Sequence, residues 1–347
     1  MLSIDSIDRE ILNILQSDFP ITDTPFLSIA RKTNITEDAV IERIRRLKYE
    51  KIIRQVSAIF DTRSLGYESS LVAAEIPADN IDKGVEVINK HPGVSHNYLR
   101  NDIYNIWFTI AVPPNSSLGL EKSVKILTEN AGAVRFLLLP ALRLFKIRFT
   151  LDMNDNEDID VGRSSLSNIK SEKLSDNHSI TEEDILFIRM LQKDMPIVRY
   201  PFEELAKGYK VEPQTVVKRL DEFIKKGTMR RFAAVLNHQR SGYNVNAMGV
   251  WIVPKPSIES VAEQMTSFKA VSHCYLRPTY PDWPYNIFTM VHSRSQKELD
   301  AIFLNISTTT GIKEYRRLYT NKEFKKIRLQ YFTPNLEEWE RDIVNNE

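Results

Sequence analysis

The chain has 347 residues, 42% hydrophobic and 27% charged, with a net charge of +1. That allows two to four domains with sizeable cores and fits an ordinary globular protein; it excludes a whole-chain basic bias toward nucleic acid. One cysteine, Cys274, excludes an internal disulfide framework and suits a reducing cytoplasm. The N-terminal MLSIDSIDREILNILQ is charged and amphipathic rather than a secretion signal, and no apolar run reaches membrane-span length.

Taken in order, Asp8 to Gln16 is an amphipathic helix with Ile7, Ile11, Ile14 and Leu15 on one face. A short helix around Phe26 to Ala30 follows. A third is capped by Thr36, with Glu37 and Asp38 in its first turn, where carboxylates suit the helix dipole. Ile52 to Phe60 then alternates like a strand. Three helices and a strand make a winged helix-turn-helix pattern. Strands near Leu71–Ile76, Val94–Leu99, Asn105–Val112 and Val134–Phe149, with helices near Ile81–Lys90 and Ser117–Asn130, follow the ferredoxin-like βαββαβ plan. From Asp152 to Ser179 hydrophobic residues are sparse and periodicity is lost, as in a linker.

The pattern then restarts. QSDFPI at Gln16 returns as QKDMPI at Gln192, Pro25 and Phe26 return as Pro201 and Phe202, and Gly66 and Tyr67 return as Gly242 and Tyr243. The expected fold is α+β with two repeats: winged helices over 1–62 and 180–238, ferredoxin-like domains over 63–151 and 239–335, and a linker over 152–179. A fused pair of such sheets supplies both partners of a face-to-face pseudo-dimer from one chain.

Two stretches stand apart, HNYLRNDIYNIWFT from His96 and HCYLRPTYPDWPYNIFTM from His273. Strand alternation puts His96, Tyr98 and Arg100 on one face, and His273, Tyr275 and Arg277 on the matching face of the second copy. Two readings stand about level. In one the triads line a pocket, with arginine holding a carboxylate and histidine moving a proton or binding a metal. In the other they are a satisfied sheet histidine and an exposed arginine. The longer second loop, rich in proline, holds Tyr280 and Trp283 either against a flat ligand or as a plug in its own core. Lys146 with Arg148, and Lys326 with Arg328, alternate along the last strand of each half, as a polyanion site or a solvated face. His91 and His292 are extra candidate proton donors or metal ligands, and both read better as structural or exposed. Cys274 reads as a small packed hydrophobe. The third helix of each winged unit mixes acids with bases, against the basic bias usual for DNA readers. No glycine-rich phosphate loop, Ser-His-Asp pattern or clustered metal-ligand spacing appears.

The layout resembles the Lrp/AsnC regulators. The motifs HPGVSHNYLRND, YNIWFT and VSHCYLRPTYPDWPYNIFTMVH, with the tails LPALRLFKIRF and NKEFKKIRLQYF, are similar to the two subunits of siroheme decarboxylase joined in one chain. The resemblance implies removal of the C12 and C18 acetate carboxyls of siroheme to give 12,18-didecarboxysiroheme, on routes to haem or haem d1. It implies no cofactor beyond the substrate's own iron and an internal pseudo-dimer, with further homo-oligomerisation left open; the residues themselves lead to no expected DNA partner and no membrane. On this reading Arg100, Arg277, Lys146, Arg148, Lys326 and Arg328 clamp carboxylates, and His96 and His273 donate protons. One of these histidines is alternatively an axial ligand to the substrate iron. Tyr98 and Tyr275 orient the ring, while Trp107, Tyr280 and Trp283 cover it. The rivals are a DNA-binding regulator that senses a small molecule or tetrapyrrole, and a tetrapyrrole carrier without chemistry.

Overall fold

The computed structural model describes residues 4–147, 180–236 and 245–346. The expected linker at 152–179 and Arg148 lie outside the described residues. In the first half, α1 (Ser6–Ser17) starts at a reciprocal cap between Asp5 and Asp8, α2 (Pro25–Thr33) opens on proline, and α3 (Glu37–Tyr49) is capped by the Thr36 hydroxyl. β1 (Ile53–Phe60) completes the winged helix. Then come β2 (Glu68–Glu75), α4 (Ile81–Lys90), β3 (Val94–Arg100), β4 (Ile106–Val112), α5 (Gly119–Asn130), β5 (Arg135–Pro140) and β6 (Arg143–Ile147). The second half repeats this with α6 (Glu182–Leu191), α7 (Pro201–Lys207), α8 (Pro213–Lys225), β7 (Met229–Leu236), β8 (Val245–Trp251), α9 (Ile258–Ser267), β9 (Val271–Leu276), β10 (Ile287–Ser293), α10 (Gln296–Thr310) and β11 (Tyr315–Lys326). A last helix, α11 (Asn335–Asn346), had no counterpart in the sequence reading. Its Trp339 packs edge-on to His91 at 4.3 Å, and its Glu340 accepts the Ser117 backbone N–H at 2.9 Å.

The two winged helices are one body. β1 and β7 pair antiparallel, with Ala58 opposite Phe232 and Val56 opposite Ala234. A single apolar cluster runs from Ile11, Phe26 and Ile44 to Phe187, Leu220 and Phe223.

The two ferredoxin-like sheets are also one body, by an exchange of last strands. β11 pairs through Tyr315–Tyr319 with β8 of its own half and through Thr320–Lys326 with β3 of the other. The expected single strand over 134–149 is two strands doing the same job: β5 pairs with β2 of its own half and β6 with β9 of the other. The pairing order is β5-β2-β4-β3-β11-β8-β10-β9-β6. Its two end strands are consecutive in the chain, and β11 and β6 cover the β3 and β9 edges of the opposite half, which would otherwise invite aggregation. The outer faces are covered by α4 and α5 in one half and α9 and α10 in the other. The inner faces meet through Leu137, Leu139, Trp107, Val250, Phe288 and Leu318.

This exchange sets an expectation. A chain cut anywhere between Ile147 and Ile180 should still purify as a 1:1 pair of halves, because each sheet is completed by the other half's last strand. Size-exclusion chromatography of the co-expressed pieces checks it, and two independently folded monomers would contradict the pairing.

Candidate active site

Each triad lies on the inner face of the sheet, where the two halves look at each other. In β3, the Tyr98 and Trp107 backbones are direct partners, as are His96 and Thr109, so these side chains share that face. In β9, Tyr275 faces Phe288 and His273 faces Met290. The stacking is the same in both copies. The His96 and Tyr98 rings are 6.1 Å apart, with the Arg100 guanidinium 5.3 Å from the Tyr98 ring. The His273 and Tyr275 rings are 6.2 Å apart, with Arg277 4.7 Å from the Tyr275 ring. The alternation expected from sequence is therefore met, and it produces two ladders rather than one.

Tertiary structure brings the ladders together. Burial pushes His273 down to about 4, and the next largest cause is the charge His96 would carry, so imidazoles from opposite halves are electrostatic neighbours. Burial also holds His96 at about 4, helped by Lys326 and Arg54. Each arginine reaches across to the other half. Arg100 Nη1 donates to the Leu318 carbonyl at 2.8 Å, and Arg277 Nη1 donates to the Leu139 carbonyl. Neither guanidinium has a carboxylate partner among the described residues, and the Nε of each is buried without an acceptor. Burial pulls both down to about 10, helped at Arg277 by the nearby charge of Arg63. A buried cation that lacks a counter-ion is costly, and a ligand carboxylate at this site would relieve that cost.

The other expected residues divide. Lys326 is the backbone partner of His96 and shares its face. Lys146 is not its counterpart. It is opposite Cys274, on the helix-covered side, and its Nζ donates to the Thr266 and Phe268 carbonyls at 2.8 and 3.0 Å, capping the end of α9. Its counterpart is Lys325, which donates to the Asn89 carbonyl at the end of α4 at 2.6 Å. Lys146 is thus a helix cap rather than a carboxylate clamp, because alternation was counted from the wrong residue. Arg328 is also structural: it donates to the Ser57 hydroxyl and the Ala58 carbonyl of β1, tying the winged helix to the sheet.

The aromatic residues do not cover an open face. Trp107 and Trp283 are each 1% exposed and pack 5.5 Å apart. Trp107 Nε1 donates to the Tyr104 carbonyl. Tyr280 donates its hydroxyl to the Leu138 carbonyl at 2.6 Å, and Asp282 accepts from the Tyr104 hydroxyl at 2.5 Å. The proline-rich loop is a plug locked onto the other half, because its aromatic rings bury more surface there than they would against solvent. His91 is fully buried, with its Nδ1 accepting from the Gly93 N–H at 2.9 Å, and Cys274 is a buried thiol pushed up to about 12.

Some contributors went unseen in the sequence. Arg54 on β1 acts on His96, and Arg63 acts on Tyr275 and Arg277; neither makes an ion pair among the described residues. A signal for Arg54 existed, since Arg230 occupies the matching place in the repeat. The serine before each histidine was another: Ser95 Oγ is 3.0 Å from His96 Nδ1, and Ser272 Oγ is 2.8 Å from His273 Nδ1.

Comparison with known proteins fits this geometry. Residues 64–146 and 240–325 match the AsnC-like ligand binding domain, and residues 8–54 and 184–230 match the siroheme decarboxylase NirDL-like HTH domain. A siroheme decarboxylase of Hydrogenobacter thermophilus is 35% identical, covering 97% of this chain and 98% of that protein. The siroheme decarboxylase beta subunit of Methanosarcina barkeri is 43% identical over 41% of this chain and 94% of its own length, about one half of the repeat. The crystal structure of the siroheme decarboxylase NirDL in co-complex with an iron-uroporphyrin III analogue superposes with a TM-score of 0.78 at 31% identity, covering 98% of this chain and 99% of that one. With its twofold ladder and its full-length match, the chain belongs to the siroheme decarboxylase family.

Proposed function

We propose that the chain decarboxylates siroheme, turning two ring acetates into methyls within the tetrapyrrole routes to haem or haem d1. The observation that carries this reading is the pair of inward-facing ladders, one from each half, each with a histidine, a tyrosine and a buried arginine that has no counter-ion among the described residues. Breaking the bond to CO₂ leaves an electron pair on the acetate methylene, and one proton per acetate completes the methyl. His96 and His273 are the proton donors on this reading. Arg100, Arg277, Lys326, Arg54 and Arg63 balance a ring bearing several carboxylates. The iron belongs to the substrate, and no further cofactor is invoked.

The regulator reading needs free cations at the phosphate backbone. Here α3 has committed most of its own. Arg43 and Arg46 are paired with Asp8, Arg45 donates to the Ile197 carbonyl, and Lys48 is paired with Asp194. In α8, Arg219 is paired with Glu222 and Glu183. The winged helices serve as a platform that presents Arg54 to the site, with no DNA partner. No described helix is long and apolar enough to cross a membrane.

Anaerobic incubation with siroheme followed by mass spectrometry tests the reaction. The expected product has lost two CO₂. A spectral change with unchanged mass indicates a carrier, and sequence-specific DNA binding with steep salt dependence indicates a regulator. H273A and H96A should each lower turnover by roughly 10²- to 10⁴-fold, the range for losing a general acid.

The histidines also fix a pH dependence. His96 and His273 are held at about 4 and His91 at about 3, below the ordinary 6.5, in each case by burial first. The unfolded chain therefore binds more protons than the folded one in that window. Stability is full above about 6.5 and is lost as pH falls toward 4. Thermal melts across that range should show the loss in the absence of ligand. A polyanionic ring lifts both histidines back toward the ordinary value, so binding siroheme between about pH 5 and 6 should take up protons while His273 stays mainly neutral at pH 7. Calorimetry in two buffers of different ionisation heat measures that uptake, and zero uptake would argue against carboxylates beside the histidines.

A further inference from the structure

The two histidines differ in what stands behind them. His273 Nδ1 is 2.8 Å from Ser272 Oγ, and that oxygen is 2.9 Å from Nε2 of His292, two residues beyond Met290 on β10. His292 is part-exposed, so its imidazole has access to water. In the first half, aligning YNIWFTIAV with YNIFTMVHS puts Ala111 in the place of His292 and Thr109 in the place of Met290. There Ser95 Oγ meets Thr109 Oγ1 at 2.8 Å, and the threonine is itself 3.5 Å from His96 Nδ1. That chain ends in hydroxyls, which carry no exchangeable proton of suitable acidity at neutral pH.

We propose that His292, acting through Ser272, supplies the proton that His273 delivers, so that the second half holds the acid that is recharged through protein groups while the first half does not. The inference rests on the decarboxylation reading. As the bond to CO₂ breaks, its electron pair stays on the methylene carbon and takes the proton from His273 Nε2. Nδ1 of His273 takes the Ser272 hydroxyl proton, and Ser272 takes the proton on His292 Nε2. The sum is one acetate and one proton, which His292 takes from water, giving one methyl and one CO₂; the His273 proton is left on Nδ1, and its return to Nε2 completes the cycle. No oxidant or reductant enters.

The arrangement answers a need of the site. Burial, His96, Arg277 and Lys146 all oppose a standing charge on His273. A neutral imidazole is an effective acid only if its second nitrogen gains a proton as the first loses one. The Met290 carbonyl, 3.3 Å from Ser272 Oγ, gives the hydroxyl somewhere to point once Nδ1 is protonated. His292 and Ser272 are positioning and supply residues; His273 is the group placed to touch the substrate.

The test is single-turnover decarboxylation of siroheme by the full chain, with binding followed by absorbance. H292Q keeps a hydrogen bond to Ser272 but carries no titratable proton, so it separates supply from positioning. The expected result is a rate about 10²-fold lower with unchanged siroheme affinity, for both H292Q and S272A. The double variant should be no slower than either single one, as for residues acting as a unit. Added imidazole should speed H292A but not S272A. The relay is overturned if H292Q turns over at the wild-type rate, if the loss falls on affinity alone, or if the two substitutions multiply. Should H292Q not fold, S272A, which removes one oxygen, decides by the same criteria. A wild type that binds siroheme without releasing CO₂ overturns the decarboxylation reading itself, whereas a working wild type beside an unaffected H292Q overturns only the relay.

Discussion

The exchange of last strands is the constraint from which the site follows. A ferredoxin-like sheet with an open edge is a liability, and each half of this chain closes the other's edge. β11 runs from its own sheet into the first half's, and β5 and β6 do the reverse across a break at Ala141 and Leu142. Closure turns one face of each sheet inward. The ladders of His96 and His273 lie on those faces, so pairing the edges is also what turns the two histidines toward a shared interior.

The electrostatics follow from the same closure. The guanidinium groups of Arg100 and Arg277 are drawn inside to satisfy carbonyls of the opposite half, and that leaves two buried positive charges without a carboxylate partner among the described residues. A fold selected for stability alone would be expected to pair them or replace them, since unpaired buried charge is unfavourable. Their survival makes sense if the counter-ion arrives with the ligand. The winged helices contribute through Arg54 and, by way of the Arg328 bonds to Ser57 and Ala58, through the placement of β1. In the first winged unit the basic side chains of α3 are engaged by Asp8, Asp194 and the Ile197 carbonyl.

Much of the fold and part of the site were legible in the residues themselves. The spacing of QSDFPI and QKDMPI exposed the duplication, and the helix and strand periods within each half followed. Alternation correctly placed histidine, tyrosine and arginine on one face of each strand. The same rule failed for Lys146, because the register that matters is set by a partner strand from the other half, and a one-residue difference moves a side chain to the opposite face. Trp107, Tyr280 and Trp283 have the composition of a ligand platform, and only packing could show that they fill their own core.

By itself the sequence determined most of the elements, though not α11 or the break between β5 and β6, that they form twice, and which residue types share a strand face, because these depend on local periodicity and on comparing the chain with itself. Tertiary structure alone decided that β11 and β6 cross between halves, that Arg328 and Lys146 serve the scaffold, and that His292 stands behind His273 while Ala111 stands behind His96. Those outcomes depend on contacts between residues far apart in the chain, whose geometry no local pattern encodes.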